Sequence, residues 1–309
     1  MGAPAVAMAI NMYAFAEAGR TGNQTLRVEA NIPLSFLGGQ KQHISPMDGK
    51  RLLEPLRLAA KESLDYIGKR ASSVRLDVDC EIPVGAGLGS SAATTVAIIA
   101  AATRAHGVQL EREEVCEIAF APESYLHGNP SGVDQAACTY GGILQFSKPD
   151  KVTPLRLGRM PVIVVCDTGI HRSTKGLVGA VMKRSKSEVE FFREHVDEAS
   201  RISKAAVRAL TEEDDQELGT LMNRNHELLK QIGVSHPKLN ELVKAARKAG
   251  ALGAKLTGAG GGGCIIALCE DPKAQSRVGR ALKRHGGTPY NVSMDTSGVR
   301  SASNGTALK

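Results

Sequence analysis

Between residues 74 and 82, apolar Val74, Leu76, Val78, Cys80 and Ile82 alternate with Arg75, Asp77, Asp79 and Glu81, the two-residue period of a strand buried on one face. Pro83 ends that pattern. Over residues 90–104 an alanine-rich run without Gly or Pro predicts a long, well-buried helix. The same reasoning assigns strands to residues 3–18 and 24–32 and helices to 51–67 and 111–121. A further helix is predicted from Asn129-Pro130, where Asn offers a cap and Pro suits the first helical position. Residues 142–146 and 161–166 read as short strands, and helices occupy most of 175–250. Strands at 264–269 and 290–293 flank a helix at 271–285. This alternation predicts an α/β or α+β protein, long enough at 309 residues for two domains. The Lys-, Arg- and Pro-rich stretch 147–159 marks their boundary, giving domains over 1–157 and 158–309.

Composition removes several classes of function. Tryptophan is absent and aromatics make up 4%, too few for the stacking platforms of a single-strand nucleic-acid binder. The net charge is +7, but the basic residues are scattered through predicted helices. That is the pattern of solvated faces rather than of a nucleic-acid contact, and an acidic small substrate suits it equally. Six cysteines, Cys80, Cys116, Cys138, Cys166, Cys264 and Cys269, lie mostly in apolar runs without a C-x-x-C pair. They read as reduced core residues of a cytoplasmic protein, without metal or disulfide roles. The apolar N-terminus lacks a basic flank and contains Pro4, Asn11 and Glu17, which suits a buried strand better than a signal peptide or membrane anchor.

The candidate chemistry concentrates in glycine-rich and turn segments. The run PVGAGLGSSAATT at 83–95 places Gly85, Gly87 and Gly89 just ahead of a helix, where free N–H groups and the helix dipole favour an anion. A glycine turn packed tightly against the helix fits the same spacing. Ser90 and Ser91 offer donors or a magnesium ligand. No Walker-type G-x-x-x-x-G-K-[ST] occurs, and the G-x-G-x-x-G at Gly258, Gly260 and Gly263 leads into the apolar run CIIALC rather than the helix a dinucleotide fold requires.

Three further segments add side chains to this picture. In APESYLHGNPSGVDQ (121–135), Glu123 ends a helix, His127-Gly128-Asn129 forms a turn, and Asp134 opens the next helix. Carboxylates on either side of a tight turn can converge, one on a hard cation and one on a substrate hydroxyl. A surface charge and a helix-end charge are the alternatives, and His127 reads as turn-stabilising. In DTGIHRSTK (167–175), Arg172, Ser173, Thr174 and Lys175 offer donors to a carboxylate or phosphate, or Ser173-Thr174 cap the next helix. The glycines of KLTGAGGGGC (255–264) imply close backbone approach to something bulky, such as nucleotide phosphates. A flexible surface loop would not ordinarily run straight into an apolar strand.

Together these motifs resemble the GHMP kinases. Residues 83–93 resemble the second motif of that family and 255–264 the third, while GNPSGVDQ, RSTK and KLTGAGGGGC are similar to its mevalonate kinase branch, in order over residues 2–293. The resemblance implies a two-domain α+β fold, with an N-terminal domain like S5 domain 2, a ferredoxin-like C-terminal domain, and ATP and acceptor between them. It implies transfer of the γ-phosphoryl group of ATP to the 5-hydroxyl of mevalonate. Another GHMP small-molecule kinase, a decarboxylase of the same superfamily and an inactive nucleotide-binding paralogue are the alternatives. By the same resemblance ATP would lie along Pro83, Gly85, Ala86, Gly87, Leu88, Gly89, Ser90, Ser91 and Ala92, steadied by Gly258, Ala259, Gly260 and Gly261. Ser91 and Glu123 would ligate Mg2+, Asp134 would be the catalytic base, and His127, Arg172 and Thr174 would meet mevalonate. A homodimer is expected, with no nucleic-acid or membrane partner. The family's first motif, with a lysine and a Glu-His pair, is not present in the chain, whose first lysine is Lys41. If the chain is the whole protein, weakened or absent turnover is expected, because that lysine would help hold Asp134 ionised and neutralise phosphoryl charge.

Overall fold

The computed structural model describes residues 3–22, 26–33, 41–44, 50–69, 74–128, 130–147, 151–170 and 174–301. The chain forms two compact units that interleave along the sequence. One takes Met12–Val84, Gly89–Gly141 and Thr296–Lys309, and the other takes Met1–Asn11, Gly85–Leu88 and Gly142–Asp295. No helix among the described residues is long and apolar enough to cross a membrane.

The first of these units contains a sheet ordered β2 (Ala14–Arg20), β5 (Val74–Cys80), β3 (Arg27–Pro33), β4 (Lys41–Ile44), with elements numbered along the chain. β5 pairs antiparallel with β2 and parallel with β3. As the alternation predicts, Val74, Leu76, Val78 and Cys80 are buried and Arg75 is exposed. α2 (Ser90–Arg104) packs on β2 and β5, with α1 (Lys50–Tyr66) and α3 (Arg112–His127) against it, which is why its sequence is small and apolar nearly all round. Two of its three buried threonines return their hydroxyls to its own backbone, Thr94 to the Ser90 carbonyl at 2.9 Å and Thr103 to that of Ile99 at 3.0 Å, while Thr95 Oγ1 is buried with no hydrogen-bond partner among the described residues.

Two helix boundaries differ from expectation. α3 starts at a capping box formed by Glu111 and Glu114 and continues through Pro122 to His127, beyond the predicted end at 121. Pro122 is itself buried, and it leaves the helix one backbone bond short. α4 (Val133–Tyr140) begins after Gly132, at φ 91, and not at Asn129-Pro130. A left-handed glycine makes the entry turn there; Asn129 lies outside the described residues.

In the other unit, four antiparallel strands are ordered β11 (Thr288–Val292), β8 (Val162–Asp167), β10 (Cys264–Cys269), β9 (Gly253–Leu256). β8 is followed by α5 (Thr174–Ser187), α6 (Val189–Thr211), α7 (Asp215–Ile232) and α8 (Pro237–Lys248), and α9 (Pro272–Arg284) joins β10 to β11. This is a ferredoxin-like order with an enlarged first crossover. Val164, Cys166, Leu239, Leu242, Leu256, Ile265, Val278 and Leu282 form its core. A small sheet pairs β1 (Ala5–Met8) with β6 (Ile143–Ser147), Ala5 lying opposite Phe146, and β6 with β7 (Lys151–Leu155). The stretch expected to be a linker thus contains a strand, with Pro154 at the sheet edge, where a proline is tolerated. The strand predicted over 3–18 is really two, one in each unit. The break falls at Asn11, whose N–H donates to the Ser293 carbonyl at 3.0 Å and whose Oδ1 accepts from the Ser293 N–H at 2.8 Å.

β9, which the sequence did not reveal as a strand, is finished by side chains of α7. The Ala254 N–H donates to Asn223 Oδ1 at 3.1 Å and the Leu256 N–H to His226 Nδ1 at 3.3 Å. His226 is 2% exposed, and burial pushes its pKa down to about 4, so the folded state holds the neutral ring that accepts this bond. An unfolded histidine titrates near pH ~6.5. Between those values the unfolded chain binds the extra proton, so stability falls as pH drops through that window and is regained as pH rises. The loss should reach about 2–3 kcal/mol, measured as denaturant midpoints at neutral and acid pH. In His226→Gln, which keeps an acceptor that does not titrate, most of that pH dependence should vanish.

Candidate active site

Three helices of one unit bring the predicted serine, carboxylates and histidine together. Ser91 stands in the first turn of α2, Glu123 and His127 in the last part of α3, and Asp134 in the first turn of α4. Because α3 runs through His127, Glu123 and His127 share one helical face instead of being divided by a helix end and a turn. Ser91 Oγ donates to Glu123 Oε2 at 3.3 Å and lies 3.3 Å from His127 Nε2, which is 3.6 Å from Glu123 Oε2. Gly89 caps α2 at φ 73, and a Cβ there would lie 3.8 Å from that of Asp134, so Asp134 stands against the start of α2. Among the described residues no side chain caps that helix, which leaves its first-turn N–H groups without a side-chain acceptor.

The electrostatics of this cluster are those of a site short of positive charge. Glu123 is 2% exposed. Burial raises its pKa to about 7, opposed by the Ser91 bond and reinforced by the nearby charge of Asp134. Its Oε1 is buried with no hydrogen-bond partner among the described residues, a costly state for a carboxylate unless a cation meets it. The hydroxyl of Ser91 and this free oxygen are hard donors of the kind a divalent ion takes. Asp134 touches solvent, yet lost hydration raises its pKa as well, partly opposed by His127. No three His, Cys, Asp or Glu side chains converge on one metal position among the described residues.

The other unit holds the remaining glycines. Gly85 and Gly87, at φ 82 and 75, are exposed, while Ala86 between them is fully buried, so the loop offers backbone to solvent at its glycines. Behind it lies the turn containing Gly258, Ala259, Gly260 and Gly261. A Cβ on Gly258 would fall 3.0 Å from the Gly87 carbonyl oxygen, and one on Gly263 would fall 2.7 Å from that of Ala86. A Cβ on Gly260 would come within 2.1 Å of the Val234 oxygen, and one on Gly262 within 2.2 Å of the Ile170 oxygen. Two bonds fix the turn, from the Gly261 N–H to Val234 at 2.8 Å and from the Gly263 N–H to Ile170 at 2.7 Å. These glycines are therefore demanded by backbone packed on backbone, and the flexible-loop alternative does not describe them.

Of the other candidates, Pro83 and Ala92 are buried and Leu88 and Ser90 half-buried. Thr174 opens α5, and Arg172 lies outside the described residues. Sequence reasoning missed Val234 and Ile170, which act through carbonyl oxygens that no residue type announces. Chemically, the helix cluster can take up a cation and a proton, and the glycine segments can bring N–H groups up to an anion.

Comparison with known proteins now adds a family. The profile of the GHMP kinases N terminal domain matches residues 55–142 and that of the GHMP kinases C terminal matches residues 206–288. The mevalonate kinase of Pyrococcus horikoshii is 38% identical over 312 aligned residues, covering 97% of this chain and 91% of that protein. Among solved structures, L. major mevalonate kinase in complex with R-mevalonate is similar with a TM-score of 0.82 at 30% identity, over 96% of this chain and 91% of that one. Methanococcus jannaschii mevalonate kinase is similar with a TM-score of 0.75 at 27% identity, over 95% and 92%.

Proposed function

The chain belongs to the GHMP kinase family, and from that premise we propose that it transfers the γ-phosphoryl group of ATP to the 5-hydroxyl of mevalonate, giving 5-phosphomevalonate and ADP. The observation that carries this reading is the meeting of Ser91, Glu123, His127 and Asp134 at the start of α2, in a chain similar to mevalonate kinases over nearly its whole length.

Asp134 accepts the hydroxyl proton as that oxygen attacks the γ-phosphorus; the bond from phosphorus to the β,γ-bridging oxygen breaks and ADP leaves. Ser91 and Glu123 would hold Mg2+, which would supply positive charge against the phosphates. The backbone from Gly85 to Ser91 receives the phosphates, and Gly258 to Gly261 keep that backbone in shape. His127, Arg172 and Thr174 bind mevalonate, Arg172 supplying the planar fork that a carboxylate favours. Catalysis on this reading comes from positioning and charge.

An ADP-release assay over mevalonate, galactose, homoserine and phosphomevalonate tests the assignment. Mevalonate should give the highest kcat/KM, and a faster reaction with another acceptor rejects it. Ser91→Ala should lower kcat about 10- to 100-fold and raise the Mg2+ concentration needed for half-maximal rate. An unchanged Mg2+ requirement would remove Ser91 from the ligand set.

A further inference from the structure

The turn that leaves β8 carries a buried hydroxyl to which nothing above gives a task. Thr168 is 6% exposed. Its Oγ1 accepts from the Ile170 N–H at 3.2 Å and donates to the Gly263 carbonyl at 2.7 Å, which also accepts from the Thr168 N–H at 3.0 Å. The Gly263 N–H in turn donates to the Ile170 carbonyl at 2.7 Å. Two backbone bonds thus join the turn after β8 to the end of the glycine-rich turn, and the hydroxyl adds a third to the Gly263 carbonyl while holding the Ile170 N–H. On its far side Gly263 backs directly onto the Ala86 carbonyl, 2.7 Å from where its Cβ would be. The path from Thr168 to the exposed glycines at 85 and 87 therefore runs through two residues, Gly263 and Ala86, with no flexible side chain between them.

We propose that Thr168 is a positioning residue for the nucleotide. Its hydroxyl fixes the carbonyl of Gly263, and Gly263 fixes Ala86, so that the flanking N–H groups keep the spacing that receives ATP phosphates. The inference rests on the kinase reading above for the identity of the nucleotide. Without the hydroxyl, the Ile170 N–H loses its acceptor and Gly263 keeps one donor in place of two. The two backbone bonds remain, and the Gly263 carbonyl is held less firmly at the point where that residue bears on the loop.

The near-isosteric Thr168→Val removes the hydroxyl alone, and Thr168→Ser keeps it. ATP affinity, measured by calorimetric titration without acceptor, should weaken about tenfold in the valine variant and stay within about twofold of the parent in the serine variant. In turnover, the same change should appear in KM for ATP, with kcat and KM for the acceptor altered less than about threefold. A valine variant that binds ATP as the parent does overturns the proposal, whatever its melting temperature. So does a serine variant as weak as the valine one, because packing of the methyl would then be the cause. A second measurement needs no variant: in the parent chain, ATP should slow hydrogen exchange of the Ile170 and Gly263 amides, and unchanged exchange overturns the coupling. A parent that binds ATP but leaves mevalonate unphosphorylated removes the acceptor assignment and leaves Thr168 in place. A parent that binds no ATP removes both.

Discussion

Replacing Asp134 by asparagine should lower kcat about 10³-fold while the KM values for ATP and acceptor stay within about threefold. Asparagine fills the same volume against Gly89 in the first turn of α4 but cannot take a proton at neutral pH. Asp134 is exposed in the structure. Its replacement should therefore leave the thermal midpoint nearly unchanged. Steady-state rates and melting curves on one preparation separate the two effects. An asparagine variant as fast as its parent would show that the proton goes elsewhere.

Gly260→Ala should weaken ATP binding about 100-fold and cost about 3–5 kcal/mol of stability. Two penalties coincide at this position. The backbone sits at φ 84, where L side chains are strained, and the new methyl would lie 2.1 Å from the Val234 carbonyl oxygen. Backbone cannot swing aside as a side chain can, so the turn has to move away from the segment that follows α7 and lose the Gly261 to Val234 bond. Gly19 has open space around its Cβ position and no positive φ, and Gly19→Ala should change neither quantity. Equal behaviour of the two variants in calorimetry and denaturation would refute this account of the glycine-rich turn.

Much of this architecture was legible in the sequence where one physical demand dominates locally. β5 shows its buried face by strict alternation, and α2 shows that it is enclosed by an alanine-rich run. The glycines at 85, 87 and 258–263 stand out because their backbone conformation or close packing excludes other residues. What stayed hidden depends on partners far along the chain. β9 is four residues long and contains Lys255, so it carries too little pattern to read as a strand. It is completed by Asn223 and His226 on a helix some thirty residues earlier. The break at Asn11 depends on Ser293, and α3 outlasts Pro122 because of what surrounds it. The candidate site followed the same rule. Its residue types were readable, while the sharing of one helical face by Glu123 and His127 was not, because that requires α3 to continue past a proline.

The pairing of β1 with β6 has a consequence for synthesis. Ala5 finds Phe146 opposite it, so this strand has no partner until the long stretch of chain between them has been made. At ordinary elongation speeds that delay is roughly 10–30 s, during which an apolar segment with open backbone groups is exposed beside growing helices. Its long sequence separation also makes this a slow contact to close even after release. Conditions that crowd nascent chains should therefore harm yield through this strand before they harm the finished enzyme, and chaperone supply during expression should matter more than the stability of the purified protein suggests.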